Sequence, residues 1–372
     1  MTPRTARGRI QSRRSALAAL AAATALAIVG CGGDDEPEQQ QSSTAKPSGT
    51  LTYATWGGEY TKTLKSAMLD PFAQESGVRI DTPSAPGEFV PKLQAQAQAG
   101  QVEWDLLDPG EDDVETLIQQ DLLQKLPTDL KAFMVEKVGA ENVTDYGVSF
   151  GAYSDVIACN PNVAERCPAN PQEFWDVENF PGRRAMYGDG WNTNIPYALE
   201  ADGVPGDEVF PEPDVDRAFA KLDEIKPHVD VWWKTGDQSQ QILRDEEVAM
   251  AIMWDGRAYQ LQDQGLKDLE VSHDGMLAMR ELMVVPKDAP NPQAAFAFLR
   301  WYVTHPEAGA QWIKTMHYGV ADPKALDALP RKVADQVATA PANAEVTTPL
   351  DAAWSTKARQ EVLTRWTNWL GE

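Results

Sequence analysis

Leu51-Thr52-Tyr53-Ala54-Thr55-Trp56 is a β-prone run that stops at Gly57-Gly58, and the residues downstream of those glycines set the fold class. From about Tyr60 the apolar residues Leu64, Ala67, Met68 and Phe72 recur at spacings of three and four, which is the period of an amphipathic helix. Gly77 stops that helix. Val78-Arg79-Ile80 is the next strand and Phe89 to Ala99 the next helix. Trp104-Asp105-Leu106-Leu107 is a third strand, broken by Pro109-Gly110, and Val114 to Gln120 then reads as helix. Strands alternating with helices build βαβ units, so the expectation is an α/β chain with a mostly parallel sheet.

The pattern continues outward. Asp155-Val156-Ile157-Ala158 is a strand, Val215 to Ile225 and Ser239 to Asp245 are helices, and Val248 to Trp254 is a buried strand. Glu281 to Pro286 is one more strand and Pro292 to His305 an apolar helix. Lys357 to Leu370 closes the chain as a helix with Val362, Trp366 and Trp369 on one face. No internal repeat is visible. The 372 residues accommodate two α/β lobes, each of about 110–150 residues.

The N-terminus is an address label. Arg4, Arg7, Arg9, Arg13 and Arg14 precede an uncharged run from Ser15 to Gly30. That run is shorter than the roughly 20 residues a membrane-spanning helix needs. Ile28-Val29-Gly30-Cys31 resembles a bacterial lipoprotein cleavage box, which implies a signal peptide over 1–30 and lipidation of Cys31. Ser12-Arg13-Arg14-Ser15 is similar to a twin-arginine export signal. Residues 31–49 are dominated by Asp, Glu, Gln, Ser, Thr and Pro with no large apolar residue, and read as a flexible tether. The expected product is exported and lipid-anchored, facing a periplasm or the cell exterior. In that oxidising setting the two remaining cysteines, Cys159 and Cys167, are expected to form a disulfide that staples a short loop. Redox catalysis would prefer a tighter Cys-x-x-Cys pair.

A net charge of -23 would repel phosphate backbones, which argues against a nucleic-acid partner. No enzyme constellation stands out. The histidines His228, His273, His305 and His317 show no metal-ligand spacing, and no nucleophile elbow or phosphate-cradling loop is present. No catalytic residue, metal or cofactor is therefore expected. Paired carboxylates flanking a glycosidic bond, as in an exported hydrolase, stay open as an alternative. Asp105, Asp108, Glu111, Asp112 and Asp113 lack the spacing of a calcium loop and suit a helix N-terminus.

What does stand out is tryptophan at strand ends, where open α/β sheets place their ligands. Trp56 precedes Gly57-Gly58-Glu59-Tyr60, Trp254 precedes Asp255-Gly256-Arg257, and Trp191 comes after Asp189-Gly190. Core packing is the competing reading for each of the twelve tryptophans. Trp301, Trp312, Trp354, Trp366 and Trp369 read as core or interface stripes on helices, and Trp232-Trp233 as either.

From about Gly49 onward, these pieces in this order resemble the extracytoplasmic substrate-binding proteins of ABC importers, in particular the spermidine/putrescine-binding branch. The resemblance rests on the opening Leu51 to Tyr60, on Trp104 to Pro109, and on Phe174-Trp175-Asp176-Val177 with Phe180-Pro181-Gly182-Arg183-Arg184-Ala185. It rests further on Val248 to Ala258 and on Val284-Val285-Pro286-Lys287. It implies a two-lobed, periplasmic-binding-protein-like (type II) fold with a hinge and an interlobe ligand cleft. Lobe 1 is expected over 50–150 plus 281–320 and lobe 2 over 151–280, with 321–372 a helical segment packed on both. The hinge crossings fall near Tyr146 to Tyr153 and Met279 to Leu282. The resemblance also implies a monomer that delivers its ligand to ABC permease subunits and touches the membrane only through its lipid.

Matched by position, the implied ligand-binding set is Trp56, Glu59, Tyr60, Glu111, Asp112, Trp254, Asp255, Glu281 and Tyr318. Aromatic walls for methylenes and cation–π contacts, with carboxylates for ammonium ends, fit a putrescine- or spermidine-like polyamine. The chain departs from that branch at Met279, where a tryptophan is expected. Arg257 and Arg280 are read as outward-facing surface charge. Were either in the cleft, a zwitterionic amino acid such as γ-aminobutyrate would be the alternative ligand.

Overall fold

The structure is a computed structural model that describes residues 46–372. The expected signal peptide, the Arg13-Arg14 pair, Cys31 and most of the tether lie outside the described residues. The strands are β1 (Thr50–Ala54), β2 (Arg79–Asp81), β3 (Leu106–Leu107), β4 (Gly147–Cys159) and β5 (Arg184–Tyr187). They continue with β6 (Val229–Trp233), β7 (Met250–Trp254), β8 (Glu270–Ser272), β9 (Leu277–Val284) and β10 (Thr348–Pro349).

The order β2-β1-β3-β9-β4-β7-β5-β6 runs through the sheet, with β10 beside β9 and β8 beside β4. The expectation of a mostly parallel sheet is corrected to a mixed one. β2-β1-β3 and β6-β5-β7 are parallel, but β3-β9, β9-β4 and β4-β7 are antiparallel. The physical reason lies in β4 and β9. Each is a strand that passes from one parallel layer to the other, and a returning strand lies antiparallel to its neighbour without needing a crossover helix.

Among the described residues, apolar cores cover both faces of these crossing strands, and they divide between the two ends of β4. Val148 and Phe150 of β4 bury with Leu51, Tyr53 and Met283, whereas Ile157 and Cys159 further along β4 bury with Met250, Ile252 and Leu277. The fold is therefore two-lobed. In β7, Met250 and Ile252 face one core layer and Ala251 and Met253 the other. Both faces are covered, so apolar residues fill every position rather than alternate ones. Each fully buried side chain of this size contributes about 1.5–3 kcal/mol.

A disulfide joins Cys159 at the end of β4 to Cys167, with 5.6 Å between their Cα atoms. The C-terminal helix Ala352–Gly371 packs Trp354, Val362, Trp366 and Trp369 into the core that holds Ile157 and Leu277. No helix among the described residues is long and apolar enough to cross a membrane.

Candidate functional site

A cavity of about 210 Å³ opens where β1, β7 and β5 end. Its aromatic wall is Trp56, Tyr60, Tyr153, Tyr187, Trp254 and Tyr318. Trp56 is held at the end of β1 by donating its indole N–H to the Asp108 carbonyl at 3.0 Å. Its ring lies 6.1 Å from that of Trp254, which packs edge-on against Tyr187 at 5.5 Å and Trp233 at 5.1 Å. Tyr153 and Tyr318 stand 5.8 Å apart.

Four charged side chains line this cavity, Lys234, Asp237, Arg257 and Glu281, and the last two of these are buried. Glu281, on β9, is 5% exposed, and its Oε2 accepts the Tyr60 hydroxyl at 2.5 Å. Burial pushes its pKa up to about 8, against the pull of Tyr60 and of Arg257. Room for the carboxylate comes from Gly151, in the bulge of β4 between Ser149 and Ala152. A Cβ on Gly151 would lie 2.6 Å from Glu281 Oε2.

Arg257 corrects the sequence-based expectation. It is not outward-facing: it lies in the first turn of the helix Asp255–Asp263, one turn beyond Trp254, and is 5% exposed. Its Nη1 donates to Asp237 at 3.1 Å, while its buried Nε has no hydrogen-bond partner. An unsatisfied guanidinium N–H in a buried wall costs about 1–3 kcal/mol until an acceptor arrives.

A second cavity of about 590 Å³ adjoins the first and shares Trp56, Tyr153, Tyr187 and Trp254 with it. Glu111, Asp112, Arg280 and Arg359 line it. Arg280 is half-buried, and its Nε donates to Glu111 at 2.7 Å, so its charge is already spoken for. Arg359 of the C-terminal helix pairs with Asp112 and Asp113.

Of the nine residues expected to bind ligand, the structure brings Trp56, Tyr60, Trp254, Glu281 and Tyr318 together in the smaller cavity. Glu111 and Asp112 line the larger one, both engaged with arginines. Glu59 lines neither. It sits on the helix Gly58–Leu64 and pairs with Lys62 at 3.0 Å, because a helical residue preceding an inward Tyr60 points elsewhere. Asp255 is also outside the cavity: it is fully buried and accepts from the Gly256 N–H at 2.7 Å and Ser154 at 3.4 Å, which anchors the turn after β7.

Tyr153, Tyr187 and Asp108 were missed. Tyr187 ends a strand, and the strand-end signal that found Trp254 could have found it. Tyr153 lies within the 13-residue β4 and carries no local signal.

Residues 67–345 match the family model of the bacterial extracellular solute-binding proteins. The chain is 29% identical over 327 residues to a γ-aminobutyric acid-binding protein of Pseudomonas aeruginosa, covering 87% of this chain and 91% of that relative. A putrescine/agmatine-binding protein of the same organism is 26% identical over 186 residues, 46% of this chain and 49% of that relative. The solved structure of an ABC transporter substrate-binding protein from Bradyrhizobium japonicum USDA 110 has a TM-score of 0.78 at 32% identity, covering 86% of this chain and 99% of that one.

Proposed function

The chain belongs to the bacterial extracellular solute-binding protein family, and from that premise we propose that its cleft receives a short zwitterion, γ-aminobutyrate or a close analogue. Solute binding for an ABC transporter is its role, and its relatives are receptors rather than enzymes. The observation that carries the ligand reading is the buried Arg257 Nε, unpartnered in the cavity that also holds Glu281. A ligand carboxylate supplies the missing acceptor, and charge-assisted pairing of this kind is the strong form of the hydrogen bond. The ligand ammonium goes to Glu281, and its methylenes lie along Trp56, Tyr153 and Trp254.

A diamine meets a different balance. It would bring a second positive charge toward a guanidinium inside an aromatic cavity, where repulsion is weakly screened. The polyamine reading that the sequence favoured therefore gives way to the zwitterion. The longer, higher-identity match to the γ-aminobutyric acid-binding relative supports the same choice.

The remaining parts of the reading are proposals of the same kind. The lobe boundaries, the hinge along β4 and β9, lipidation of Cys31 and a monomeric state rest on the family's architecture and on the N-terminal sequence. Titration calorimetry with γ-aminobutyrate, putrescine and alanine tests the ligand. Binding of γ-aminobutyrate alone, lost in Arg257→Gln, is expected. Putrescine binding that survives Arg257→Gln would return the polyamine.

A further inference from the structure

Outside the cavity lining, behind Tyr60 and Glu281, lies a further carboxylate. Asp108, in the turn after β3, is fully buried. Its Oδ2 is 3.0 Å from the Tyr60 hydroxyl and 3.2 Å from that of Thr55, and the buried Tyr53 hydroxyl faces the same carboxyl group. The same Tyr60 hydroxyl is 2.5 Å from Glu281 Oε2. A phenol has one proton and can donate to only one of two carboxylates. The other short contact then requires a carboxyl O–H that donates to the Tyr60 oxygen, so a proton resides on Asp108 or on Glu281.

We propose that Asp108 is a positioning residue that stays protonated in the empty and the loaded receptor, donates to Tyr60, and so fixes the Tyr60 proton on Glu281. The site rests on the zwitterion reading only for what Glu281 then holds. Asp108 makes no ion pair among the described residues, whereas Glu281 shares its cavity with Arg257. The groups facing Asp108 are Tyr53 from β1, Tyr60 from the helix Gly58–Leu64 and Glu281 from β9. Those facing Glu281 are Tyr60, Arg257 from the helix Asp255–Asp263, Tyr153 from β4 and Tyr318. Both cations that line the cavity, Arg257 and Lys234, lie on the Glu281 side with Asp237, and neither lines the pocket around Asp108, so an anion is stabilised at Glu281 and the proton is left to Asp108. Burial and the neighbouring Glu281 hold Asp108 well above the ordinary carboxylate range, which agrees with that placement.

Infrared spectroscopy of the purified, ligand-free protein reads the proton directly. The carbonyl stretch of a protonated carboxylic acid is expected to persist at about pH 9, beyond the ordinary titration of either acid. In spectra of variant minus parent, which cancel the other buried acids such as Asp255, one such band is expected to be lost in Asp108→Asn and none in Glu281→Gln. A band lost in Glu281→Gln and kept in Asp108→Asn, or no band at all, would overturn the proposal without bearing on which ligand binds.

The second arm uses γ-aminobutyrate as probe. Asn keeps a neutral donor toward Tyr60, so Asp108→Asn should bind within about threefold of the parent and with the same pH profile. Asp108→Ala should bind about tenfold or more weakly, the order expected when one buried hydrogen-bond partner is removed. A displacement of the pH profile in Asp108→Asn by more than about one unit would mean that a charge was removed, and would contradict the proposal.

Discussion

Gly236 gives Arg257 its place: a Cβ on Gly236 would stand 2.5 Å from Arg257 Nε and 3.0 Å from the Trp254 ring. Gly236 opens the helix Gly236–Arg244, and the backbone there is not in the left-handed region, so the requirement is for space rather than for conformation. Gly236→Ala should lower the melting temperature modestly, because overpacking a buried site costs about 1–3 kcal/mol and the better helix propensity of alanine offsets only part of that. Its affinity for γ-aminobutyrate should fall about tenfold or more, because the guanidinium must move. Unchanged affinity would mean that Nε does not touch the ligand.

Affinity should depend on pH through Glu281, whose pKa is pushed up to about 8 by burial. The ligand ammonium needs the anion, so a proton competes with it below that value. Calorimetry should show affinity weakening by up to about tenfold per unit as pH falls below about 8, with a proton released on binding. Stability moves the other way. A carboxyl with a raised folded-state pKa favours the folded state at low pH, and that contribution is lost as pH rises from the ordinary 4.5 toward about 8. Melting temperature of the empty protein should therefore decline across this window, and saturating γ-aminobutyrate should offset most of the decline. A flat affinity profile would place the ammonium elsewhere.

The C-terminal helix acts as a strap. Its tryptophans are buried in the core around Ile157, while Arg359 reaches Asp112 and Asp113 on the helix Glu111–Gln119, whose Val114 and Leu117 belong to a core on the other side of the crossing strands. Burial and the neighbouring Asp112 push Asp113 up to about 6 even with Arg359 beside it. Arg359→Gln would leave both carboxylates without their cation. It should cost about 1–2 kcal/mol, less than a fully buried pair because the arginine is partly solvated. Ligand dissociation measured by stopped flow should accelerate. An unaltered off-rate would confine the strap to stability.

Removing the Cys159–Cys167 bridge should matter to folding but not to the ligand. The loop it closes has a sequence separation of 8 and lines neither cavity. A Cys159→Ser, Cys167→Ser variant should lose about 2–3 kcal/mol in denaturant unfolding. Its affinity for γ-aminobutyrate should stay the same.

How much of this was legible in the chain divides along physical lines. Alternating strand and helix patterns gave the α/β class, and strand-end aromatics pointed to Trp56 and Trp254, because both signals are local. The mixed sheet was hidden, since the direction of β9 beside β4 is set by pairing between residues far apart in sequence. Glu281 and Tyr318 came from family resemblance. The side on which Arg257 falls could not be read from Asp255-Gly256-Arg257 alone, because it depends on Gly236 leaving room for the side chain. Asp108 looked like one acid among several near a helix start. Only the distances to Tyr60 and, through it, to Glu281 separate it from Asp112 and Asp113.

A crystal structure of the receptor with γ-aminobutyrate would show directly which groups hold the ligand. The predicted result is a ligand in the smaller cavity with its carboxylate accepting from Arg257 Nε and its ammonium on Glu281. A ligand seated among Glu111, Asp112 and Arg280 in the larger cavity, or one that leaves Arg257 Nε unpartnered, would contradict it.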